Sequence, residues 1–324
     1  MTAGSAPLAP PTRGRRRGEA RGRRIGEAWY TPYLFIAPHL LIFLVFIGWP
    51  FFFGLWISLL DFDLRGDRRG VPNEFVGLEN YLNLFDPNSL QFDRFWQTLW
   101  NTIIFVLLST PTMVIIALFL AALLNARFRG RNFFRGLYFA PWTLSVAVIG
   151  LVWWWIFQSQ GGLIVNIFGA FGAESPGWLN SQPWAWISIL IATVWWTVGF
   201  NTMILLAGMQ SIPVDLYEAS AIDGASRWQQ FWRVTVPLLR PILLLVITLQ
   251  VIASFNLVGQ PQIMTSGGPP TAQTTPVLLH IYNVGFTPGE RYQMSPAAAM
   301  SFIVAAIIVV VSIINFRLFS SERE

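Results

Sequence analysis

The 324-residue chain is 54% apolar and only 11% charged, whereas a soluble domain carries about 25% charged residues. This composition excludes an ordinary soluble globular protein and indicates one membrane-embedded domain. Cys is absent and His occurs only at His39 and His280, which excludes disulfides, thiolate metal sites, cysteine nucleophiles and a histidine-rich metal centre. The formal net charge of +5 arises from Arg alone, because the chain has no Lys.

The chain begins with an Arg-rich segment, residues 1–27, whose Gly, Pro, Ala and Arg content predicts a disordered cytoplasmic tail. Residues 28–324 are expected to form the transmembrane domain. The first apolar run of that domain is too long for the apolar region of a signal peptide, and no small-residue cleavage site follows it. We therefore expect this run to remain in the protein as its first helix.

Six apolar runs organise the transmembrane domain. A transmembrane helix needs about 20 consecutive apolar residues, and each run reaches this length without containing Asp or Glu. Pro50 and Pro111 lie inside two of the runs and predict kinks there. The sequence thus predicts an all-α integral membrane protein with six transmembrane helices. The runs are approximately Tyr33–Leu60, Trp96–Asn125, Leu137–Phe157, Trp184–Met209, Ile242–Met264 and Ala297–Phe319.

The distribution of Arg orients these helices, because basic residues concentrate in cytoplasmic loops. With both termini in the cytoplasm, 16 of the 21 Arg lie on the cytoplasmic side, in residues 13–24, 127–135, 227–240 and 317–323. The opposite side then holds five Arg and nine acidic residues. Topology and contact with an anionic lipid bilayer therefore explain the basic excess, and no support remains for nucleic acid as a partner.

Three loops face outward in this topology, at residues 61–95, 158–183 and 265–295. The first mixes charged residues with Pro and Gly, and we expect it to form a small cap of short helices. The other two are rich in Gly and Pro, which predicts irregular connections on the outer face.

The cytoplasmic loop at residues 210–241 has a more definite pattern. Ser211 and Pro213 predict the start of a helix, and Gly224 predicts its end. A second short amphipathic segment follows, which Pro237 and Pro241 break before the fifth run. The aromatic residues of this segment are Trp228, Phe231 and Trp232. Physical reasoning alone leaves two interpretations open, a helix–turn–helix that docks on a partner or an amphipathic loop packed on lipid.

Part of this loop has a recognisable sequence. The stretch from Tyr217 to Ala225, followed by Phe231, Pro237 and Pro241, resembles the EAA motif of permease subunits of binding-protein-dependent ABC importers. That motif reads Glu-Ala-Ala, two residues, Asp-Gly-Ala, and then a spaced Phe and Pro; here Ser220 replaces the usual second Ala. Three further segments, residues 75–81, 128–141 and 264–269, resemble the sugar-permease branch, whose familiar member is the maltose-type importer.

The resemblance implies a type I ABC importer permease fold and a transport function. Two permease subunits, usually different chains in this branch, would form one pathway, to which an extracytoplasmic solute-binding protein delivers a sugar or oligosaccharide. Two separate ATPase subunits would bind ATP and Mg. This chain has no Gly-x-x-x-x-Gly-Lys-Ser/Thr loop, so we expect it to hold no cofactor and to have no enzymatic activity. The implied location is the cytoplasmic (inner) membrane of a bacterium or archaeon.

On this resemblance the loop at residues 210–241 is the coupling segment that docks on the ATPase. Glu218 would make polar contacts there, Ala219 and Ala225 would allow close approach, and Asp223 with Gly224 would shape the turn. A rigid, capped helix can transmit a rigid-body movement to the two transmembrane helices that flank it.

Polar and aromatic side chains inside two of the runs are candidates for the solute pathway. In the fourth run the candidates follow a helical spacing of i, i+3, i+4 and i+7, and in the fifth run they again share one face. The matching stretches of the maltose-type permease build its sugar site. The alternative is that these side chains only pack helix against helix. The candidates are Thr193, Trp196, Thr197, Phe200, Gln250, Ser254 and Leu257.

Other functions remain as alternatives. The nearest is an ABC importer permease for a different solute, such as a glycerol phosphate or a polyol. A secondary transporter would place charged residues in mid-span for proton or sodium coupling, and the six runs contain no acidic residue. An intramembrane enzyme would need a catalytic acid, base or metal cluster within the spans, and the sequence offers none.

Overall fold

The computed structural model describes residues 30–62, 74–126, 128–268, 273–287 and 293–320. The predicted tail at residues 1–27 lies outside the described residues. The chain divides into two compact units, Met1–Phe52 and Phe53–Glu324. Helices make up most of the described part of both.

The first apolar run is interrupted near Pro50. Helix α1 (Thr31–Phe43) passes into a π-helical turn at Leu44–Gly48, and α2 (Trp49–Ser58) follows. Proline has no amide hydrogen to bond the carbonyl four residues earlier, and its ring crowds that carbonyl. A π-helical turn widens the helix locally, so the irregularity expected at Pro50 takes this form.

Three long helices dominate the second unit: α4 (Phe92–Asn125), α8 (Trp184–Gln210) and α14 (Met294–Ser320). With Thr31–Ser58 they give four described helices that are long and apolar enough to cross a membrane, and two bent helix pairs raise the number to six if each pair is one span. The shorter helices are α3 (Glu79–Leu82), α5 (Arg131–Phe139), α6 (Val146–Phe157), α7 (Leu163–Ala170), α9 (Val214–Ile222), α10 (Arg227–Gln230), α11 (Val236–Leu238), α12 (Arg240–Phe255) and α13 (Val277–Phe286).

The third and fifth runs are not single helices, although their hydropathy is continuous. Helix α5 ends in a 3₁₀ turn at Ala140–Thr143, and the chain then bends by 99° into α6. Ser145 starts α6 by accepting a hydrogen bond from the Val148 amide at 3.4 Å, as a helix cap does. In the fifth run α12 ends at Phe255, and a π-helical turn at Pro261–Thr265 follows.

The core of the second unit lies where α4, α8 and α12 pack together. One buried cluster joins Met113 of α4, Leu205 of α8 and Leu239 beside the start of α12. Helix α5 also lies against α8, and a Cβ added at Gly199 would collide with the Tyr138 carbonyl oxygen. Glycine therefore permits the close approach of these two helices.

A two-stranded hairpin organises the described part of the first outer loop. Strand β1 (Leu60–Asp61) pairs antiparallel with β2 (Glu74–Phe75). Asn80 fastens this hairpin, because its Nδ2 donates to the carbonyls of Ser58 and Leu60, each at 2.9 Å. In the described stretch between β2 and α4, the chain forms one short helix of the kind expected for the cap, α3. The hairpin was not predicted, because strands of two residues are too short for an alternating pattern to reveal.

Candidate functional site

A cavity of about 400 Å³ lies between α4, α8, α12 and the chain segments that follow α5 and α12. All seven residues that the sequence predicts for the solute pathway line this one cavity, so the structure brings the two predicted helix faces together. Five further lining residues carry polar or aromatic side chains that the prediction left out. They are Phe105, Trp142, Asn201, Asn256 and Gln260.

The α8 wall presents hydroxyl groups with free acceptor capacity. Thr193 Oγ1 donates to the Ile189 carbonyl and Thr197 Oγ1 donates to the Thr193 carbonyl, each at 2.8 Å. A hydroxyl has one hydrogen and two lone pairs. Because these hydrogens are used within the protein, Thr193 and Thr197 line the cavity with hydroxyl oxygens that can only accept hydrogen bonds.

Three aromatic rings form an apolar wall of the cavity. Trp142 stacks on Phe200 with the ring centroids 4.7 Å apart and the ring planes at 17°. Its centroid is also 5.8 Å from that of Trp196, whose indole Nε1 donates to the Leu144 carbonyl at 3.2 Å. The sequence prediction missed Trp142 because it treated the third run as one continuous helix, whereas the turn after Pro141 aims this side chain at α8.

A buried chain of hydrogen bonds crosses the base of the cavity. Asn201 Nδ2 donates to Gln250 Oε1 at 3.2 Å, and Gln250 Nε2 donates to Ser254 Oγ at 3.2 Å. Ser254 Oγ is in turn 2.9 Å from Ser109 Oγ of α4. The chain links α8, α12 and α4, and such a satisfied network fixes the orientation of its members. Gln250 and Ser254 therefore hold the helices together as well as facing the cavity.

The segment after α12 supplies the remaining polar groups. Gln260 is only 3% exposed, yet its amide makes no hydrogen bond to another residue of the described ranges, which leaves it available to a solute. Leu257 is also buried, and Asn256 Nδ2 donates to the Ile252 carbonyl at 2.8 Å. Among the described residues that line the cavity, none carries a charge.

The predicted coupling loop forms a second site, at the other end of α8. Helix α9 ends in a Schellman motif: the Ala225 amide donates to the Ser220 carbonyl at 2.9 Å, and the Gly224 amide donates to the Ala221 carbonyl at 3.0 Å. Gly224 has a φ of 80°, which only glycine adopts without strain. Glu218, Ala219, Asp223 and Gly224 are exposed and Ala225 is partly exposed.

The start of the coupling loop differs from the prediction. Ser211 does not cap α9, because its Oγ donates to the Gly208 carbonyl at 2.8 Å and so belongs to the end of α8. Ser226, which the prediction did not single out, begins α10 with a capping box: its Oγ accepts from the Gln229 amide, and Gln229 Oε1 accepts from the Ser226 amide at 2.8 Å. The Ser-x-x-Gln spacing is a known helix-start signal.

Hydrogen bonds join the two helices of the coupling loop into one body. Gln230 Nε2 donates to the Tyr217 carbonyl at 3.1 Å and to Ser220 Oγ at 3.0 Å. The Tyr217 hydroxyl is 2.9 Å from Thr235 Oγ1. Ser220, which departs from the usual motif, therefore uses its hydroxyl to accept a bond that alanine would not. The outward surface is apolar at Val214, Ile222 and Trp228, and large exposed apolar surfaces mark contact sites.

Comparison with known proteins identifies relatives over almost the whole chain. Residues 114–323 match the family model described as the binding-protein-dependent transport system inner membrane component. The chain is 35% identical over 302 residues to the sn-glycerol-3-phosphate transport system permease protein UgpA of Salmonella choleraesuis, covering 93% of this chain and 97% of that protein. It is 30% identical over 290 residues to the sulfoquinovosyl glycerol transport system permease protein SmoG of Agrobacterium fabrum, covering 89% and 90%.

A solved structure supports the same fold. The chain superposes with a TM-score of 0.76 on a chain from the crystal structure of a bacterial ABC transporter involved in the import of the acidic polysaccharide alginate. The two sequences are 20% identical, and the match covers 91% of this chain and 96% of that chain.

Proposed function

We propose that this chain, which belongs to the family of binding-protein-dependent transport system inner membrane components, forms the translocation pathway for a sugar or oligosaccharide. It is a multi-pass permease subunit of the inner membrane and not an enzyme, because its relatives are transport system permease proteins. The observation that carries the proposed solute is the uncharged cavity, which combines an aromatic wall with amide and hydroxyl groups.

The chemistry of the cavity fits a neutral, polyhydroxylated solute. Amides can donate and accept, and the threonine oxygens can accept, so together they match the alternating donors and acceptors of sugar hydroxyls. The stacked Trp142 and Phe200 offer a flat apolar face to a sugar ring. The volume falls in the range of about 300–1,000 Å³ that small-molecule sites occupy. An anion in this cavity would have no charged partner among the described lining residues, which is unfavourable.

A glycerol-phosphate or other glycerol-containing solute is the second candidate. Its support is the identity of the relatives, since UgpA is named for sn-glycerol-3-phosphate and SmoG for sulfoquinovosyl glycerol. Both named solutes carry polar hydroxyl groups that the amides of this cavity can also bind. For this candidate the positive charge would come from the second permease subunit that shares the pathway.

The coupling role is proposed for residues 210–241. On this proposal Glu218, Ala219, Asp223, Gly224 and Ala225 contact one of two ATPase subunits, which bind ATP and Mg, while this chain binds no cofactor. The exposure of this segment and its apolar outward surface support such a contact. The Schellman end and the Gln230 bonds make the loop stiff enough to transmit a movement.

The proposed topology has six spans, with both termini in the cytoplasm. The Arg distribution and the two bent helix pairs support this arrangement. The remaining partners are a second permease subunit, which we propose to be a different chain, and an extracytoplasmic solute-binding protein. The fold relative has been crystallised in complex with an alginate pentasaccharide-bound periplasmic protein.

One reconstitution tests the function and separates the two solutes. The chain is co-expressed with the second permease, ATPase and binding protein that its neighbouring genes encode, and the complex is reconstituted into liposomes. We expect ATP-driven uptake of a neutral sugar that the binding protein retains, with no competition from glycerol 3-phosphate. Competition by glycerol 3-phosphate favours the second candidate. A chain that does not co-purify with an ATPase contradicts the importer function itself.

A further inference from the structure

A basic amphipathic helix lies beside an apolar groove on the surface of the second unit. The helix is α5, and the groove, of about 720 Å³, lies between α4, α8, α6 and the C-terminal end of α5. We call this groove the α4–α8 groove. It is separate from the solute cavity, and its lining includes Leu120 of α4, Leu137 of α5 and Val194 of α8.

Helix α5 separates its charged and apolar side chains onto different faces. Arg131 and Arg135 are four residues apart and lie on one face, whereas Phe133 and Leu137 share another. Phe133 and Leu137 are 69% and 53% exposed. A short helix with Arg on one face and large apolar residues on another is typical of segments that lie in the membrane interface.

The basic face is fixed at one end of the groove. Arg135 Nη2 donates to the Leu124 carbonyl at 3.4 Å, in the last turn of α4, where the helix dipole favours a cation. Leu120, which lines the groove, lies one helical turn before Leu124. Neither Arg131 nor Arg135 lines the groove itself. The bond to Leu124 places the Arg135 guanidinium group one turn of α4 beyond the groove's last lining residue on that helix.

The cationic groups at this end have unused binding capacity. Arg135 Nε is buried and has no hydrogen-bond partner in the described part of the chain. Arg131 and the exposed Arg129 form no ion pair with any described carboxylate. Arginine offers five N–H donors in a geometry that matches phosphate oxygens. Because Arg135 Nε is enclosed by protein atoms, the N–H groups suited to an anionic group are those of Arg129 and Arg131 and the terminal nitrogens of Arg135.

The groove extends along α4 and α8, away from these cations. Along α4 its lining extends from Thr112 to Leu120, and along α8 from Leu190 to Val198. Eight residue steps of α-helix correspond to about 12 Å. The lining side chains are almost all apolar, so the groove suits a hydrocarbon chain that enters from the Arg135 end.

We propose that α5 and the α4–α8 groove bind one anionic phospholipid, with its phosphate at Arg131 and Arg135 and an acyl chain in the groove. Charge complementarity identifies the headgroup, and the position of Arg135 one helical turn beyond the Leu120 end of the apolar groove identifies the lipid. Basic pockets between transmembrane helices bind anionic headgroups in this manner. The proposal concerns a surface outside the solute cavity and does not depend on which solute is transported.

The test uses the purified full-length chain in detergent micelles. Phosphatidylglycerol with a photoactivatable diazirine in its acyl chain is compared with the matching phosphatidylcholine. We expect phosphatidylglycerol to label peptides from residues 112–120, 137–141 and 190–198, and phosphatidylcholine to label them weakly. Equal labelling by the two lipids would mean that the headgroup is not recognised, and it would overturn the proposal without any variant being needed.

Matched variants separate the headgroup from the acyl chain. R131Q/R135Q should reduce phosphatidylglycerol labelling by roughly 10- to 30-fold, from about 1 kcal/mol for each basic residue near a lipid surface. The control R227Q/R233Q removes the same charge from the other cytoplasmic loop and should leave labelling unchanged. V194F places a larger side chain in the groove and leaves Arg131 and Arg135 unchanged. It should reduce phosphatidylglycerol labelling through the acyl-chain site alone. Unchanged labelling in R131Q/R135Q contradicts the headgroup site.

The second permease subunit is the competing occupant of the groove. Because the chain has no Cys, I191C introduces a unique thiol at the groove for a photo-crosslinker in the assembled complex. We expect lipid adducts at this position. A crosslink to the partner permease, together with loss of lipid labelling on assembly, would show that a protein covers the groove and would overturn the proposal.

Discussion

Gln250 and Gln260 line the same cavity, but removing their amides should affect different properties. We expect loss of the Gln250 amide to lower the free energy of unfolding and loss of the Gln260 amide to raise the KM for uptake. Gln250→Leu keeps the volume but deletes the acceptor of the Asn201 amide and the donor to Ser254 Oγ. Ser254 keeps its contact with Ser109, and Asn201 Nδ2 keeps its 3.5 Å bond to the Thr197 carbonyl. The main loss is therefore the partner of the second N–H of the buried Asn201 amide. An unsatisfied buried polar group destabilises by about 1–3 kcal/mol. A loss of about 2 kcal/mol raises the unfolding equilibrium constant about 30-fold.

Gln260→Leu is the matched control, because it makes the same chemical change at the same cavity. Its amide makes no hydrogen bond within the described residues, so Gln260→Leu leaves no partner unsatisfied and should lack the loss of about 1–3 kcal/mol expected for Gln250→Leu. The amide is nevertheless available to the solute, so the KM for uptake should rise. For Gln250→Leu, by contrast, the main effect should be the lower free energy of unfolding.

Unfolding by sodium dodecyl sulfate in mixed micelles, followed by circular dichroism, measures both free energies. Uptake by the reconstituted complex gives KM for each variant. The reasoning is refuted if Gln260→Leu destabilises the chain as much as Gln250→Leu does. It is equally refuted if Gln250→Leu unfolds at the same denaturant concentration as the unmodified chain.

Three further predictions follow from single positions. Gly224→Ala places a Cβ at a φ of 80°, which should lower the free energy of unfolding by about 1–2 kcal/mol and weaken ATPase co-purification. Its control is Gly136→Ala, where a Cβ meets nothing within 4 Å, and we expect that change to be neutral or stabilising. Trp142→Ala should raise the KM for a sugar, because it removes about 0.5–1.5 kcal/mol of ring stacking, whereas Trp142→Phe should retain most of the affinity. Equal KM values in the two variants would contradict an aromatic wall. Burial, and then the Arg94 guanidinium, lower the pKa of His280, which lies in the predicted outer loop. The unfolded chain therefore binds this proton more readily, so thermal stability should fall as the pH drops below 6.5, and His280→Gln should reduce that fall; an unchanged pH profile of Tm would contradict it.

The sequence predicted the long helices well because their signal is local and strong. The runs at Trp96–Asn125, Trp184–Met209 and Ala297–Phe319 correspond to α4, α8 and α14 within a few residues at each end. The bend between α5 and α6 was not predictable in the same way, because hydropathy remains continuous across Pro141 and Ser145. Only the capping pattern and the proline mark the break, and the bend angle depends on packing against α8.

The cavity was predictable in part for a comparable reason. Helical spacing alone places Thr193, Thr197 and Phe200 on one face. Continuing that face by one turn from Thr197 would have included Asn201, an amide inside an apolar run. Trp142 and Gln260 had no such signal, because each lies in or beside a short helical turn that interrupts a run, the 3₁₀ turn at Ala140–Thr143 and the π-helical turn at Pro261–Thr265. The path of such turns depends on tertiary packing.

The two candidate sites share the same helices, and this arrangement gives the coupling proposal its physical basis. Helix α8 leads from Phe200 at the cavity to Gln210 beside the loop, and α12 leads from Arg240 beside the loop to Gln250 at the cavity. Each path is ten residues, or about 15 Å of helix.

The two helices are also in close contact near the loop. A Cβ at Gly208 would collide with the Ile242 side chain, so α8 and α12 cannot separate there without losing packing. We therefore expect a displacement of the coupling loop to move both helices as one body. The Asn201–Gln250 bond would then carry that movement across the base of the cavity.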